Sequence, residues 1–234
     1  MSDACFVSST GQEIPIIITT KRGLRNITLR PKTAPVCEIH ISKPFLVSEK
    51  QAFRFIEQKR KWLENIFNKA PKKKTLKVGD EIDILGRKVL IQNNPNSRLN
   101  QYITGDYKDV LIVGGSPDLL ESRVRSVVKK VLLDEIKKLI KTTPKEYWPA
   151  RISLKDTCSR WGSCSSSGTM SFSWRLAFAP YDVMRYVVMH EVAHRKYMDH
   201  SADFWHQVSV LYGFGVERAK RWLSKNGASL HTYL

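Results

Sequence analysis

Two histidines and a glutamate have the spacing of a metal-dependent hydrolytic site, in the segment His190-Glu191-Val192-Ala193-His194. Residues four apart in a helix lie on one face, so both imidazoles can reach one metal ion. Glu191 lies on the adjoining face, where its carboxylate can accept a proton from metal-bound water without binding the metal itself. The segment therefore predicts a zinc-dependent hydrolase with Glu191 as its general base.

A catalytic zinc ion needs a third protein ligand and an open position for water. The favoured candidate is His200, because the helix can end before it and the chain can turn back to the same ion. His206 and Glu217 are the rival candidates. Three ligands and one water would lower the pKa of that water and polarise the scissile group.

The N-terminal part of the chain is rich in predicted strands. Residues 12–43 contain β-branched and alternating segments, and residues 76–92 predict a hairpin around Leu85-Gly86. Between them, one helix is expected to begin at Ser48, with Gln51 as its capping-box partner.

The clearest break in the sequence is Gly114-Gly115-Ser116-Pro117, where Ser116 is expected to cap a helix that extends to about Lys141. We therefore expect two domains, an N-terminal β-rich region over 1–116 and a metallohydrolase domain over 117–234.

The metal motif lies in a region with its own pattern. Two strands are predicted near residues 150–155 and 170–176, and Pro180 is expected to open a helix that runs through about Met198. The fold class is therefore α+β, with the active-site helix beside a small antiparallel sheet.

The net charge is +17, from 39 Lys and Arg against 22 Asp and Glu. An excess of this size favours a polyanionic partner, a nucleic acid or a nucleotide, although a solubility charge would give the same count. The apolar segments are too short to cross a membrane. The four scattered cysteines, Cys5, Cys37, Cys158 and Cys164, suit reduced thiols in the cytoplasm.

Four segments of the last third resemble the YgjP-like metallopeptidase family, which is related to the SprT and WLM zincins. They are 160–164 (RWGSC), 176–180 (LAFAP), 186–194 (YVVMHEVAH) and 200–205 (HSADFW). The resemblance extends over nearly the whole chain and implies a zincin-like C-terminal domain. Carried over to this sequence, it implies that His190, His194 and His200 bind zinc and that Glu191 is the general base.

The 160–164 segment leaves alternatives open. Arg160 could contact the substrate or stabilise an oxyanion as a catalytic residue, or it could anchor the loop through a carboxylate. Cys164 and Cys158 are six residues apart, wider than a zinc knuckle usually allows, so a buried free thiol is expected at Cys164.

Three functions are compatible with these residues. The first is a metallopeptidase, in which zinc-bound water activated by Glu191 attacks a peptide carbonyl. The second is a metal-dependent nucleotide pyrophosphatase or phosphohydrolase. The resemblance allows this function, but the sequence contains neither a P-loop nor an acidic Mg²⁺ cluster, which argues against it. The third is a nucleic-acid-binding module with a structural metal, which would normally use four protein ligands.

Overall fold

The computed structural model describes residues 4–33, 37–69, 75–157 and 160–232. Helices and small mixed sheets make up the chain, which confirms the predicted α+β class. The chain divides into two compact units, Met1–Lys72 and Lys73–Leu234. None of the helices in the described part of the chain has the length and hydrophobicity of a transmembrane segment.

The first unit contains a four-stranded sheet in the order β1-β2-β4-β3. Its strands are β1 (Cys5–Val7), β2 (Glu13–Lys21), β3 (Thr28–Lys32) and β4 (Glu38–Pro44). The β2 and β4 pair is parallel, and the other two pairs are antiparallel. Alternate side chains of a strand share a face, and in β4 this places Ile39 and Ile41 in the core.

Two helices complete the first unit where one was predicted. Helix α1 (Glu49–Gln58) begins at Ser48 with the predicted capping box to Gln51. Helix α2 (Arg60–Asn68) follows Lys59, which leaves helical geometry at φ −99° and ψ 8°. The break lets both helices bury apolar residues in one core, namely Ala52, Ile56, Leu63 and Phe67.

The second unit begins with a sheet in the order β5-β6-β8-β7. Its strands are β5 (Glu81–Ile84), β6 (Arg87–Asn94), β7 (Gln101–Ile103) and β8 (Asp109–Gly114). The predicted β5–β6 hairpin is confirmed, and Leu85 and Gly86 both adopt positive φ angles, 51° and 81°. The N–H of Leu85 donates to the carbonyl of Ala177 at 2.7 Å, which ties the hairpin to the rest of the unit.

A 22-residue helix, α3 (Leu120–Lys141), follows this sheet after a short 3-10 turn at Pro117–Leu119. Ser116 precedes that turn and makes no side-chain cap. The core of the second unit runs from Leu76 to Leu230, so the sheet and the later helices share it. The compact units therefore divide near residue 72, and not at the 116/117 boundary expected from the glycine-rich turn.

A second, three-stranded sheet lies closer to the metal motif, in the order β10-β11-β9. Its strands are β9 (Arg151–Lys155), β10 (Gly162–Cys164) and β11 (Thr169–Ser173). The expectation of an antiparallel sheet is wrong for one pair, since β9 runs parallel to β11 while β10 is antiparallel to it. Strand β10 follows β9 in the chain but lies on the other side of β11, with which it forms an antiparallel hairpin.

Three α-helices follow this sheet: α4 (Tyr181–Ala193), α5 (Ala202–Tyr212) and α6 (Val216–Asn226), and a 3-10 segment at Gly227–Thr232 comes after α6. Helix α4 packs against edge strand β10 and against both α5 and α6. The metal motif is therefore placed between a strand edge and two helices.

Candidate metal centre

Helix α4 carries the first two histidines and the glutamate. Most of its residues are buried, including Val188, Met189 and Val192, which fixes the helix in the core. His190 and His194 are one turn apart, and their ring centroids lie 5.0 Å from each other.

Helix α4 ends at Ala193, earlier than the predicted end near Met198. The N–H groups of Arg195 and Lys196 donate to carbonyls three residues back, at 3.0 Å each. Such 3-10 bonds tighten the last turn of a helix and stop its α-helical continuation. The chain is therefore free to reverse after His194.

The turn between α4 and α5 brings His200 back to α4. Ser201 caps α5, since its hydroxyl accepts from the N–H of Phe204 at 3.4 Å and donates to Asp199 at 2.8 Å. His200 directly precedes this cap, and its Nε2 lies 3.3 Å from Nε2 of His190. One ligand nitrogen from each of His190, His194 and His200 lies within 4.8 Å of the other two.

The separation of the His190 and His200 nitrogens fits a tetrahedral metal ion. At Zn–N distances of about 2.0–2.1 Å, two nitrogens of a tetrahedral site lie roughly 3.4 Å apart, close to the His190–His200 separation. His194 donates from Nδ1 to the carbonyl of Tyr197 at 2.9 Å, which leaves the lone pair of its Nε2 for a metal. Burial, with the charges of His194, His200 and Lys220, lowers the pKa of His190 to about 4, so the ring is in its neutral, ligating form.

Phe204 packs against all three imidazoles. Its side chain is fully buried, and its ring centroid lies 4.9 Å from His190, 4.4 Å from His194 and 4.8 Å from His200. Trp205 lies against His190 on another side at 5.7 Å. These aromatic rings limit how far each imidazole can rotate.

Glu191 is buried beside the cluster, with 5% of its surface exposed. Burial raises its pKa to about 7, and the charge of Arg160 opposes this increase. The backbone of Gly162 lies so close that a Cβ there would be 2.6 Å from Cγ of Glu191. The glutamate side chain is therefore held against strand β10.

Arg160 is exposed at the start of this strand, and its backbone carbonyl accepts a hydrogen bond from the hydroxyl of Thr157 at 2.9 Å. Its guanidinium is close enough to Glu191 to lower the pKa of that carboxyl. The neighbouring Trp161 packs on His231, with 5.4 Å between ring centroids, and also lines the cleft beside Glu191.

The rival third ligands lie outside the cluster of described residues. His206 is exposed on α5, and Glu217 pairs with Lys220 at 2.8 Å. Cys164 is a half-buried free thiol whose pKa is raised by burial, while Cys158 lies outside the described residues.

Two residues beside Glu191, Gly162 and Leu223, were not predicted from the sequence to belong to the site. Gly162 carries a signal, since a glycine within a strand often marks a close approach by another group. Leu223 carries none, because its place beside the cleft depends on how α6 packs on α4.

A sequence model of the YgjP-like metallopeptidase domain matches residues 25–226. The chain belongs to the YgjP-like metallopeptidase family. This confirms the resemblance found in the 160–164, 176–180, 186–194 and 200–205 segments. Membership in this family indicates a metal-dependent peptidase, and the histidine cluster provides a place for the metal ion.

Similarity to curated proteins and to solved structures adds little information about this YgjP-like metallopeptidase. No curated protein matches the chain. Among solved structures, the metallopeptidase zymogen of Pyrococcus abyssi abylysin is similar, with 25% identity over 42% of this chain and 93% of that one. Its TM-score of 0.31 is too low to support an argument about fold or function.

Proposed function

We propose that this protein is a zinc-dependent peptidase in which His190, His194 and His200 hold the ion. The observation that carries the proposal is the convergence of three imidazole nitrogens within 4.8 Å, beside a buried glutamate. Neutral imidazoles suit zinc, and three protein ligands leave one position open for water, as catalytic sites require.

The ion, when bound, would supply Lewis-acid chemistry at a water molecule and at the scissile carbonyl. Glu191 then accepts the proton that the attacking water loses and delivers it to the departing amine. Its pKa of about 7 suits both transfers at neutral pH. The backbone of Gly162 packs against the side chain of Glu191 and restricts its movement.

Arg160 has a supporting place in this proposal. Its exposed guanidinium lies within electrostatic range of Glu191, at the mouth of the site. There it can contact the substrate and stabilise developing negative charge, which is one of the two roles that the sequence left open for this arginine.

We favour the peptidase over the two alternatives. A structural zinc closes all four positions with protein ligands, whereas the cluster within the described residues has three. A phosphohydrolase would need several groups that hold a phosphate chain, whereas among the described residues one cation, Arg160, acts on the pKa of Glu191 and one, Lys220, on that of His190. Binding of nucleic acid or nucleotide through the basic surface remains a prediction from the net charge.

The test is cleavage of a mixed peptide library by the zinc-loaded protein and by Glu191→Gln, with zinc content measured for both. We expect the variant to bind zinc normally and to lose about 10³-fold or more in kcat/KM. The control is Glu146→Gln, which changes an exposed glutamate in the 3-10 turn Lys145–Tyr147 and should cleave like wild type. Equal cleavage by Glu191→Gln and wild type would reject the proposal.

A further inference from the structure

A cavity of about 220 Å³ opens beside the first histidine and the glutamate. Three elements line it: strand β10 with the residue before it, helix α4 and helix α6. The lining residues are Trp161, Gly162, Tyr186, Val187, His190, Glu191 and Leu223. Any molecule in this cavity is in contact with the groups proposed to carry out the reaction.

The walls of the cavity are mainly apolar and are held in place. Trp161 lies between the cavity and Gly227, which follows α6. The contact with Gly227 is close, since a Cβ added to this glycine would lie 2.9 Å from the Trp161 ring. Val187 and Tyr186 are buried to more than nine-tenths on α4, while Leu223 is half-buried and presents apolar surface. The cavity is therefore preformed, which lowers the entropic cost of filling it.

The size of the cavity suits one large side chain. An engineered protein cavity of about 150 Å³ binds benzene, so about 220 Å³ accommodates an aromatic ring or a branched aliphatic chain. An alanine side chain would leave most of this space without contacts and would lose the corresponding burial.

The polar groups that line the cavity are few, and two of the polar lining residues, His190 and Glu191, belong to the proposed metal site. The Tyr186 ring lies against His190, with 6.0 Å between the ring centroids, and adds apolar surface to the cavity. Walls of this kind suit an apolar side chain or an aromatic side chain with a polar tip, such as tyrosine.

We propose that this cavity is the specificity pocket of the peptidase and accepts a bulky apolar side chain from a substrate residue that flanks the scissile bond. The proposal rests on the proposed function, and it adds the class of substrate: peptides with leucine, methionine or an aromatic residue at that position.

The first experiment changes the wall of the pocket at Leu223. Wild type should cleave peptides with leucine or phenylalanine at the flanking position about 10-fold or more better than peptides with alanine there. Leu223→Trp should fill the pocket and remove this preference, and Leu223→Ala should shift it towards larger aromatic residues. The matched control is Leu211→Ala, a half-buried leucine of the same core that lies outside the pocket and should leave the preference unchanged.

The second experiment measures binding without catalysis. N-acetyl-leucinamide and N-acetyl-alaninamide are titrated into methyl-labelled full-length protein, loaded with zinc, and the methyl resonances of Val187 and Leu223 are followed by NMR. The leucine derivative should shift both sets of resonances at lower concentration than the alanine derivative. In Leu223→Trp, where only the Val187 methyl resonances remain to be followed, the two derivatives should no longer differ.

The outcomes separate this proposal from the proposed function. Binding of the leucine derivative at Val187 and Leu223 without peptide cleavage would reject the peptidase but keep the pocket. Cleavage that depends on Glu191 yet shows the same side-chain preference in wild type, Leu223→Ala and Leu223→Trp would overturn the pocket.

Discussion

The backbone of Gly162 and the side chain of Glu191 are in contact across β10 and α4. A Cβ at position 162 would lie 2.6 Å from Cγ and 2.8 Å from Cδ of Glu191, distances that real side chains do not tolerate. The strand edge therefore sets the position of the proposed general base, and only glycine leaves room for it.

Gly162→Ala should consequently displace Glu191. We expect kcat to fall about 100-fold, since small displacements of a catalytic group are costly, while zinc content stays at the wild-type level because the three histidines are untouched. Peptide cleavage and metal analysis measure the two effects. Ser163→Ala, at the next residue of β10, is the control and should retain activity.

The same change should have no further effect once Glu191 is replaced. If Gly162 acts only through Glu191, the double variant Gly162→Ala/Glu191→Gln should be as inactive as Glu191→Gln alone. Loss of zinc from Gly162→Ala would instead mean that the substitution disturbs α4 as a whole.

The third-ligand prediction can be tested with two histidines from the same region. His200→Ala should weaken zinc binding by about 100-fold or more, because one of three converging nitrogens is removed. His206→Ala should bind zinc like wild type, since His206 is exposed and lies outside the cluster. Competition with a zinc chelator provides the affinities, and equal affinities for the two variants would exclude His200 as a ligand.

How much of this arrangement the sequence predicts depends on how local each contact is. The proximity of His190 and His194 follows from helical periodicity alone, and the Ser48 cap follows from local residue pattern. The return of His200 depends on the backbone bonds that end α4, so His206 and Glu217 remained as alternatives. The glycine at position 162 indicates a close approach by some group, but the sequence does not identify Glu191 as that group, because the contact joins two separate elements.

The fold, like the site, could be predicted from the sequence only where it depends on local residue patterns. The α+β class and most helices and strands could be predicted from period and turn residues, whereas the parallel pairing of β9 with β11 could not. Strand direction in a small sheet depends on the path of the connection between strands, which local propensity does not encode. The break at Lys59 was also missed, although polar residues interrupt the apolar stripe there.

Phe204 should support the histidines through packing alone. Phe204→Leu is expected to weaken zinc binding by about 10-fold, because all three imidazoles lose part of the ring that restricts them. The free energy of unfolding should fall by about 1–2 kcal/mol from lost burial. Phe172→Leu is the matched control, since Phe172 is equally buried in the same core and contacts none of the three histidines. It should reproduce the loss of stability without the loss of affinity.

Acid should weaken the second unit through Asp109, whose side chain is fully buried at the start of β8. Its carboxylate accepts hydrogen bonds from Arg87 at 2.7 and 2.8 Å and from the hydroxyl of Tyr102 at 2.7 Å. These hydrogen bonds lower the pKa of Asp109 in the folded protein, and the bond from Arg87 has the largest effect on it. The folded state therefore binds fewer protons at this group than the unfolded state, and the stabilisation is present above about pH 4, the pKa of an unfolded aspartate.

Asp109→Asn should reveal this contribution in urea unfolding at several pH values. We expect a loss of about 1–2 kcal/mol at pH 7, at the low end for bonds to a charged group because Arg87 is half exposed. The difference between wild type and variant should shrink as the pH falls below about 4, since wild type then loses the ionised form as well. Asp83→Asn, at a more exposed aspartate of neighbouring strand β5, should change stability by less than about 0.5 kcal/mol. A difference between Asp109→Asn and wild type that stays constant from pH 7 to pH 2 would show that packing, and not the charge of Asp109, stabilises this corner of the sheet.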